Sequence, residues 1–452
     1  MKIIVAGDGK VGAALTRQLT AEGHDLTVVD VKNHVLEASI ENYDVMAVQG
    51  NCASMGVLRQ AGAQEADLLV AVTNADEVNL LCCATAHYIN PQIHTIARIR
   101  TPDYAEQGYA MRDMFALSLA VNPERRAATE IERLLKYPGF LKRDTFAKGR
   151  AEIVELRVDP GSKLTNIPLR ELNDIVKCRV LVCAVLRNGK AVAPAGNFVL
   201  REGDRLFVTA PTDDLATLLK NLGIITRRVG RVIVCGGGRI SYYLAHRLLK
   251  SGIRVQIIEQ DRERCVSLAS LLPDASVICG DARDQVLLDS EGIDTCDALV
   301  TLTGLDELNI LLSIYAQDRG VPQVITKVGR SETLSFHDRL PLGSVVCPKD
   351  LCSSVIVRYV RAMQNQTGAA VAVHSIADGQ LEALEFHVDE TTMHCGEPLR
   401  AIPLRENVLV ACISHGTKIE IPNGDSSFEK GDALIVVTTE EAAPRQLNDI
   451  FA

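Results

Sequence analysis

The sequence predicts an α/β protein built twice over, a doubly wound parallel sheet followed by a small β-rich α+β domain and then the same pair again. Three observations carry this. The apolar run Ile3 to Ala6 opens into Gly7-Asp8-Gly9-Lys10-Val11-Gly12, after which Val11, Ala14, Leu15 and Leu19 recur at helical spacing. Strand-length apolar segments then alternate with helical patterns up to about Arg100, which implies a parallel sheet with right-handed crossovers. Finally the pattern returns: Gly236 answers Gly7 and Glu259 answers Asp30, both at an offset of 229 residues. Asp297 to Asn309 repeats Asp67 to Asn79 at an offset of 230. Agreement at so many positions makes a chance motif implausible.

In chain order, strands are expected at Lys2 to Ala6, Asp25 to Asp30, Asp44 to Val48, Asp67 to Thr73 and Ile93 to Arg98. The clearest helix opens near Asp76 and carries Val78, Leu81, Cys82 and Thr85. A charged amphipathic helix, Glu124 to Leu135, groups Ala128, Ile131, Leu134 and Leu135 on one side and breaks at Tyr137-Pro138-Gly139. It reads as a bridging or dimerising helix, its mixed charge favouring a protein partner over lipid. Beyond Arg150 the pattern becomes short strands, Glu152 to Val158, Val180 to Arg187 and Arg205 to Ala210, with Asn188-Gly189 as a hairpin turn. A helix from Thr212 to Leu222 closes this part. The second copy repeats Arg201-Glu202-Gly203-Asp204 as Glu429-Lys430-Gly431-Asp432, and His415-Gly416 replaces Asn188-Gly189. The expected domains are 1–140, 141–226, 227–366 and 367–452.

The glycine loop has a physical reading at each position. Gly7 permits a tight turn, Gly9 lets a pyrophosphate approach the backbone, and Gly12 lets helix pack on strand, the fingerprint of a Rossmann domain. Phosphates then meet free amides at the positive end of the helix. Asp30, at the end of the second strand, accepts from ribose hydroxyls and repels a 2′-phosphate, which predicts NAD or NADH over the phosphorylated cofactor. Parallel strands bring the loops at their carboxyl ends to one edge, so Gly7 to Gly12, Asp30, Gly50-Asn51, Thr73-Asn74 and Arg98 are expected around one ligand.

Composition narrows the classes. At 452 residues and 49.0 kDa, with 47% hydrophobic and 23% charged residues, the chain suits several globular, soluble domains. A net charge of -9 offers no basic patch for nucleic acid. The chain opens directly on a strand and has no run of bilayer-spanning length, so it is expected in the cytoplasm, without a leader, reaching any membrane only through a partner. The thirteen cysteines include no Cys-x-x-Cys, and Cys82, Cys83, Cys235 and Cys279 read as buried free thiols. His394-Cys395 with His374 or His387 matches no standard metal spacing, so no metal is assigned.

The fingerprint, the run Ala66 to Thr73 followed by Asp76, Glu77 and Asn79, the small domain with its Glu-Gly-Asp turn and the tandem duplication together resemble the TrkA family. These are cytoplasmic regulatory subunits of bacterial Trk potassium uptake systems, each built from two regulator-of-potassium-conductance units. The resemblance covers essentially the whole chain. It implies binding of NAD(H), with ATP or ADP at the same sites, assembly into homodimers or homotetramers, and docking on the inner face of a potassium-translocating membrane subunit of the TrkH type. Carried over by position, the first site is Gly7, Asp8, Gly9, Lys10 and Val11 at the phosphates and Asp30 at the ribose, with Asn51, Thr73, Asn74 and Arg98 lining the rest. The second is Gly236, Gly237, Gly238, Arg239 and Ile240, then Glu259, Asp281, Thr303 and Lys327. Three positions depart from strict repetition. Ser241 stands where the third glycine would be, Lys327 answers Arg98, and Asp281-Ala282 answers Asn51-Cys52.

The alternative class is an NAD-dependent oxidoreductase with duplicated cofactor domains. It needs a proton-transfer residue facing the nicotinamide, whereas His374, His387, His394 and His415 all fall in the second copy. A binding module needs only different affinities for two conformations, and regulation without catalysis is the expectation. Asp76, Glu77 and Asn79 are expected to cap their helix; Arg262, Arg264 and Arg283 are expected as surface arginines.

Overall fold

The structure is a computed structural model and describes every residue except 138, 223–228, 330–339, 341, 364–369, 440–443 and 445. The first six strands are β1 (Lys2–Ala6), β2 (Asp25–Asp30), β3 (Met46–Gln49), β4 (Leu68–Ala71), β5 (His94–Arg98) and β6 (Leu119–Val121). They form one parallel sheet in the order β3-β2-β1-β4-β5-β6. Between them run α1 (Lys10–Ala21), α2 (Asn33–Asn42), α3 (Met55–Gln60), α4 (Asp76–Ile89), α5 (Pro102–Glu106) and α6 (Gly108–Met114). β4 reads Leu-Leu-Val-Ala and every residue is buried, because helices cover both faces of such a sheet. On one face Ile4, Ala6, Leu69 and Ala71 pack against Leu58 of α3 and Cys82, Cys83 and Ala86 of α4.

α7 (Pro123–Lys136) leads to the first small sheet, made of β7 (Phe140–Phe146), β8 (Ala151–Arg157), β9 (Leu181–Arg187), β10 (Lys190–Val192) and β11 (Arg205–Pro211). The order is β10-β9-β11-β8-β7, all antiparallel. At the β9–β10 turn Asn188 and Gly189 both have positive φ, 52° and 75°, as a two-residue hairpin of this twist demands. α8 (Leu172–Val176) and α9 (Leu215–Leu222) cover one face of this sheet through Leu172, Val176, Leu218 and Leu222.

The second half repeats both sheets. β12 (Arg231–Cys235), β13 (Arg254–Glu259), β14 (Ser276–Cys279), β15 (Ala298–Thr301), β16 (Gln323–Lys327) and β17 (Ser344–Val346) stand in the order β14-β13-β12-β15-β16-β17. Their helices are α10 (Arg239–Lys250), α11 (Arg262–Leu271), α12 (Gln285–Ser290), α13 (Asp306–Asp318) and α14 (Pro348–Met363). β18 (Ala370–Ile376), β19 (Leu381–His387), β20 (Val408–His415), β21 (Lys418–Glu420) and β22 (Ala433–Thr439) complete the chain as β18-β19-β22-β20-β21, the same topology as the first small sheet. The uncovered faces of the two small sheets meet: Ile153, Cys183, Ala184 and Phe207 share one core with Ala383, Ala411, Cys412, Ile435 and Val437.

The chain divides into two compact units, Met1–Thr129 with Cys347–Val360, and Glu130–Val346 with Arg361–Ala452. The division runs through α7 and α14: the first unit takes Pro348–Val360 of α14, and the second takes Glu130–Lys136 of α7. In the first unit Tyr359 of α14 hydrogen-bonds His94 of β5 across 2.7 Å. In the second, Gln323 of β16 donates to the Leu134 carbonyl of α7 at 2.8 Å. Among the described residues no helix is long and apolar enough to cross a membrane.

Several expectations need adjusting. The strand expected from Asp44 begins only at Met46, and β6, β7, β17 and β18 lie where no strand was expected. Pro138, placed at the break after α7, lies outside the described residues, as do the expected domain limits at 226/227 and 366/367, and the limit after 140 falls one residue into β7. Cys279 is exposed, because its strand ends there at the edge of the sheet. Of the histidines weighed for a metal, His374 pairs with Asp144 and His394 with Glu397.

Candidate functional site

The first glycine loop is shaped by its lack of side chains. Gly7 sits at φ +96°, its amide donates to the Val29 carbonyl at 2.7 Å, and a Cβ there would lie 2.8 Å from the Thr73 nitrogen. A Cβ on Gly12 would lie 2.0 Å from the Gly7 carbonyl oxygen, so α1 can pack this closely only with glycine. Around Gly9 nothing approaches within 4 Å, and α1 has no side-chain cap. The first-turn amides from Lys10 and Val11 onward are therefore uncapped at the positive end of the helix, a fit for a phosphate.

Next to it lies an acidic corner. Asp30 closes β2, and its two oxygens accept from the Asp8 amide at 2.8 Å and the Lys32 amide at 2.9 Å. The Asp8 carboxyl points inward, 3% exposed, and accepts from the Ser39 hydroxyl of α2 at 2.5 Å. Burial, helped by the Asp30 charge and opposed by Ser39, pushes Asp8 up to about 6. Gly50 ties the next loop to this corner by donating to the Asp30 carbonyl at 3.0 Å, and Asn51 turns its side chain back to the Ala53 amide.

The opposite wall is organised by a residue whose role the sequence reading missed. Asn79 is fully buried in α4; its Oδ1 accepts from the Thr73 amide at 2.8 Å and the Thr73 hydroxyl at 2.7 Å, and its Nδ2 donates to the Arg98 carbonyl at 2.9 Å. It thus clamps the ends of β4 and β5 together. Arg98 donates to the Thr73 carbonyl and lies 3.5 Å from Asn74 Oδ1, with burial lowering its pKa. Asp76 and Glu77 do stand in the first turn of α4, where acids complement the helix dipole, but no side chain makes a cap bond there. Asp76 instead accepts from the amides of Arg100 and Thr101 at 2.9 and 2.8 Å, and Glu77 accepts from the Tyr104 hydroxyl at 2.9 Å. The signal for Asn79 was its recurrence as Asn309; Ser39, a lone serine in a polar helix, gave none.

The second loop follows the same plan with several changes. Gly236, at φ +102°, donates to Ile258 at 2.8 Å, and Glu259 accepts from the amides of Gly237 at 2.6 Å and Asp261 at 2.8 Å. Ser241 is accommodated, buried, by donating its hydroxyl to the Gly236 carbonyl. Lys327 donates to the Thr303 carbonyl as Arg98 does to Thr73, and Asn309 repeats the clamp. Asp281 is held by Arg283, whose Nη2 approaches to 2.6 Å and lowers its pKa. Gly238, Arg239 and Ile240 lead into α10 as their counterparts lead into α1. At Gly237 a Cβ would lie 2.6 Å from Leu268 Cδ1, so the space that holds the Asp8 carboxyl in the first loop is apolar in the second.

In both halves the predicted residues stand together at the carboxyl edge of a parallel sheet, beside the reversal of strand order between its first and fourth strands, the crevice where such sheets bind ligands. The TrkA-N domain model matches residues 3–114 and 232–348, and the TrkA-C domain model matches 153–223 and 383–448. The chain belongs to the TrkA family. Within it, the Trk system potassium uptake protein TrkA homolog of Archaeoglobus fulgidus is 31% identical, over 96% of this chain and 97% of its own length. The TrkA protein of Vibrio alginolyticus is 30% identical over 100% and 98%. Among solved structures, the GsuK channel bound to NAD superposes with a TM-score of 0.62 at 18% identity, covering 97% of this chain and 77% of that one, a likeness of fold.

Proposed function

We propose that the chain binds NAD(H), or an adenine nucleotide, in both glycine loops and regulates potassium uptake through a separate membrane subunit of the TrkH type, as a homodimer or homotetramer on the inner face of the membrane. The observation that carries this is the pairing, in each half, of a side-chain-free loop at an uncapped helix with a carboxylate held by that loop's own amide, Asp30 through Asp8 and Glu259 through Gly237. The phosphate contacts are Gly7 to Gly12 and Gly236 to Ile240; Asp30 and Glu259 take the ribose. Asn51, Thr73, Asn74 and Arg98, and in the second site Asp281, Thr303 and Lys327, line the remainder. The four domains are 1–140, 141–226, 227–366 and 367–452. The relatives named as potassium uptake proteins and the GsuK channel bound to NAD support regulation over the oxidoreductase alternative.

Ligand at a site shifts a conformational equilibrium only by its differential affinity, typically about 1 to 3 kcal/mol; several sites in one oligomer add to a switch. Reconstitution with the potassium-translocating subunit in liposomes, with rubidium uptake measured under NADH, NAD, ATP and ADP, tests this. Uptake is expected to depend on nucleotide and to lose that dependence in Asp30→Ala. Flux indifferent to every nucleotide would return the oxidoreductase reading to the front.

A further inference from the structure

The two loops differ at one position that changes their charge, for Asp8 stands where the second copy has Gly237. One Asp8 oxygen accepts from Ser39, while the other, Oδ1, is buried without a hydrogen-bond partner. A carboxylate with a bare buried oxygen beside a second carboxylate is badly placed to keep its charge. The charged group acting on it is Asp30 of β2, and α2 contributes the neutral hydroxyl of Ser39. The other titratable side chains on the surrounding elements, Lys10 and Arg17 of α1, Asp25 of β2, Lys32 before α2, and His34, Glu37 and Glu41 of α2, are exposed.

We propose that nucleotide binding at the first loop takes up a proton on Asp8. The inference rests on the nucleotide reading of that loop. A pyrophosphate on the amides after Gly9 adds negative charge next to the Asp8–Asp30 pair, so the neutral acid is favoured further when ligand is bound. Free Asp8 titrates near pH 6, mainly because it is buried, and ligation moves it upward. Between those two values the empty loop is charged and the filled loop neutral. Affinity at the first site therefore falls as pH rises above about 6, by up to tenfold per pH unit, until the bound carboxyl ionises as well. The second loop, with Gly237, has no such group.

Titration calorimetry of the full chain with NADH, in buffers of different ionisation enthalpy, reads the proton directly. Two variants accompany the wild type: Asp8→Asn, which fixes the neutral shape, and Asp8→Gly, which installs the residue of the second copy should the amide disturb the turn. The wild type is expected to take up a fraction of a proton at pH 7 and to lose affinity at least threefold between pH 6 and 7.5; neither variant does either. Proton uptake and pH slope unchanged in both variants would overturn the inference alone. No binding of NADH at any pH would overturn the nucleotide reading and this inference with it.

Discussion

Nδ1 of His374 lies 3.0 Å from Oδ1 of Asp144, joining the edge strand β18 of the second small sheet to the edge strand β7 of the first. The Lys142 ammonium lies 3.2 Å from the other oxygen, and the Phe146 ring meets His374 edge-on with centroids 4.8 Å apart. Burial alone would raise the Asp144 carboxyl, but Lys142 and His374 outweigh it and hold the group down at about 2.

That depression predicts an acid-sensitive contribution to folding. A carboxyl at about 2 in the folded chain and about 3.9 unfolded adds on the order of 2 kcal/mol above pH 4, which disappears as pH falls from 4 towards 2. Asp144→Asn should therefore lower the denaturation midpoint at pH 7, and the gap to the wild type should close in acid. A gap that stays constant from pH 7 to 2.5 would show that the carboxylate charge is not what stabilises this junction.

The two helix–loop contacts should tolerate alanine to different extents. Gly12→Ala places a Cβ 2.0 Å from the Gly7 carbonyl oxygen, against backbone that cannot step aside, and overpacking of this kind costs roughly 1 to 3 kcal/mol or more. Ser241→Ala keeps a Cβ already housed and loses one hydrogen bond, about 1 kcal/mol. Circular dichroism melts of the two variants decide it; equal losses would mean that α1 can move to make room for the added carbon.

Cofactor choice should follow the acids. With NADH at a hundred times its dissociation constant the folded state gains about 2.7 kcal/mol, seen as a thermal shift that NADPH fails to match because Asp30 and Glu259 repel its 2′-phosphate. Asp30→Ala should reduce binding more than Glu259→Ala, since only the first loop has all three glycines. An equal shift with NADPH would remove the acidic-corner argument.

The glycine loops, Asp30, Glu259 and the repeat were legible because each is a local pattern along the chain. The first small sheet was harder to read at its edge. β7 carries Lys142, Arg143 and Asp144 in mid-strand and so looks like a loop, yet Arg143 is buried there by a two-point pair with Glu152, Nε to Oε2 and Nη2 to Oε1 both at 2.8 Å. A partner that neutralises a buried charge lies across the sheet and leaves no periodicity. β6 and β17, three residues each, are too short for a pattern to build. The clamp of Asn79 and the shared core of the small sheets depend on contacts between distant segments, which spacing cannot express.

The place of α14 in the first unit has a consequence for synthesis. On the ribosome the first parallel sheet emerges well before Cys347–Val360, the segment that completes its unit, which lies roughly 220 residues downstream of Thr129. At about 5 to 20 residues per second the nascent sheet waits for some tens of seconds with that surface bare. The first small sheet waits about as long for the strands that share its core. A chain assembled in this order gains its native state only near its end, so a ribosome stalled after the first half should display an intermediate that chaperones hold and proteases cut.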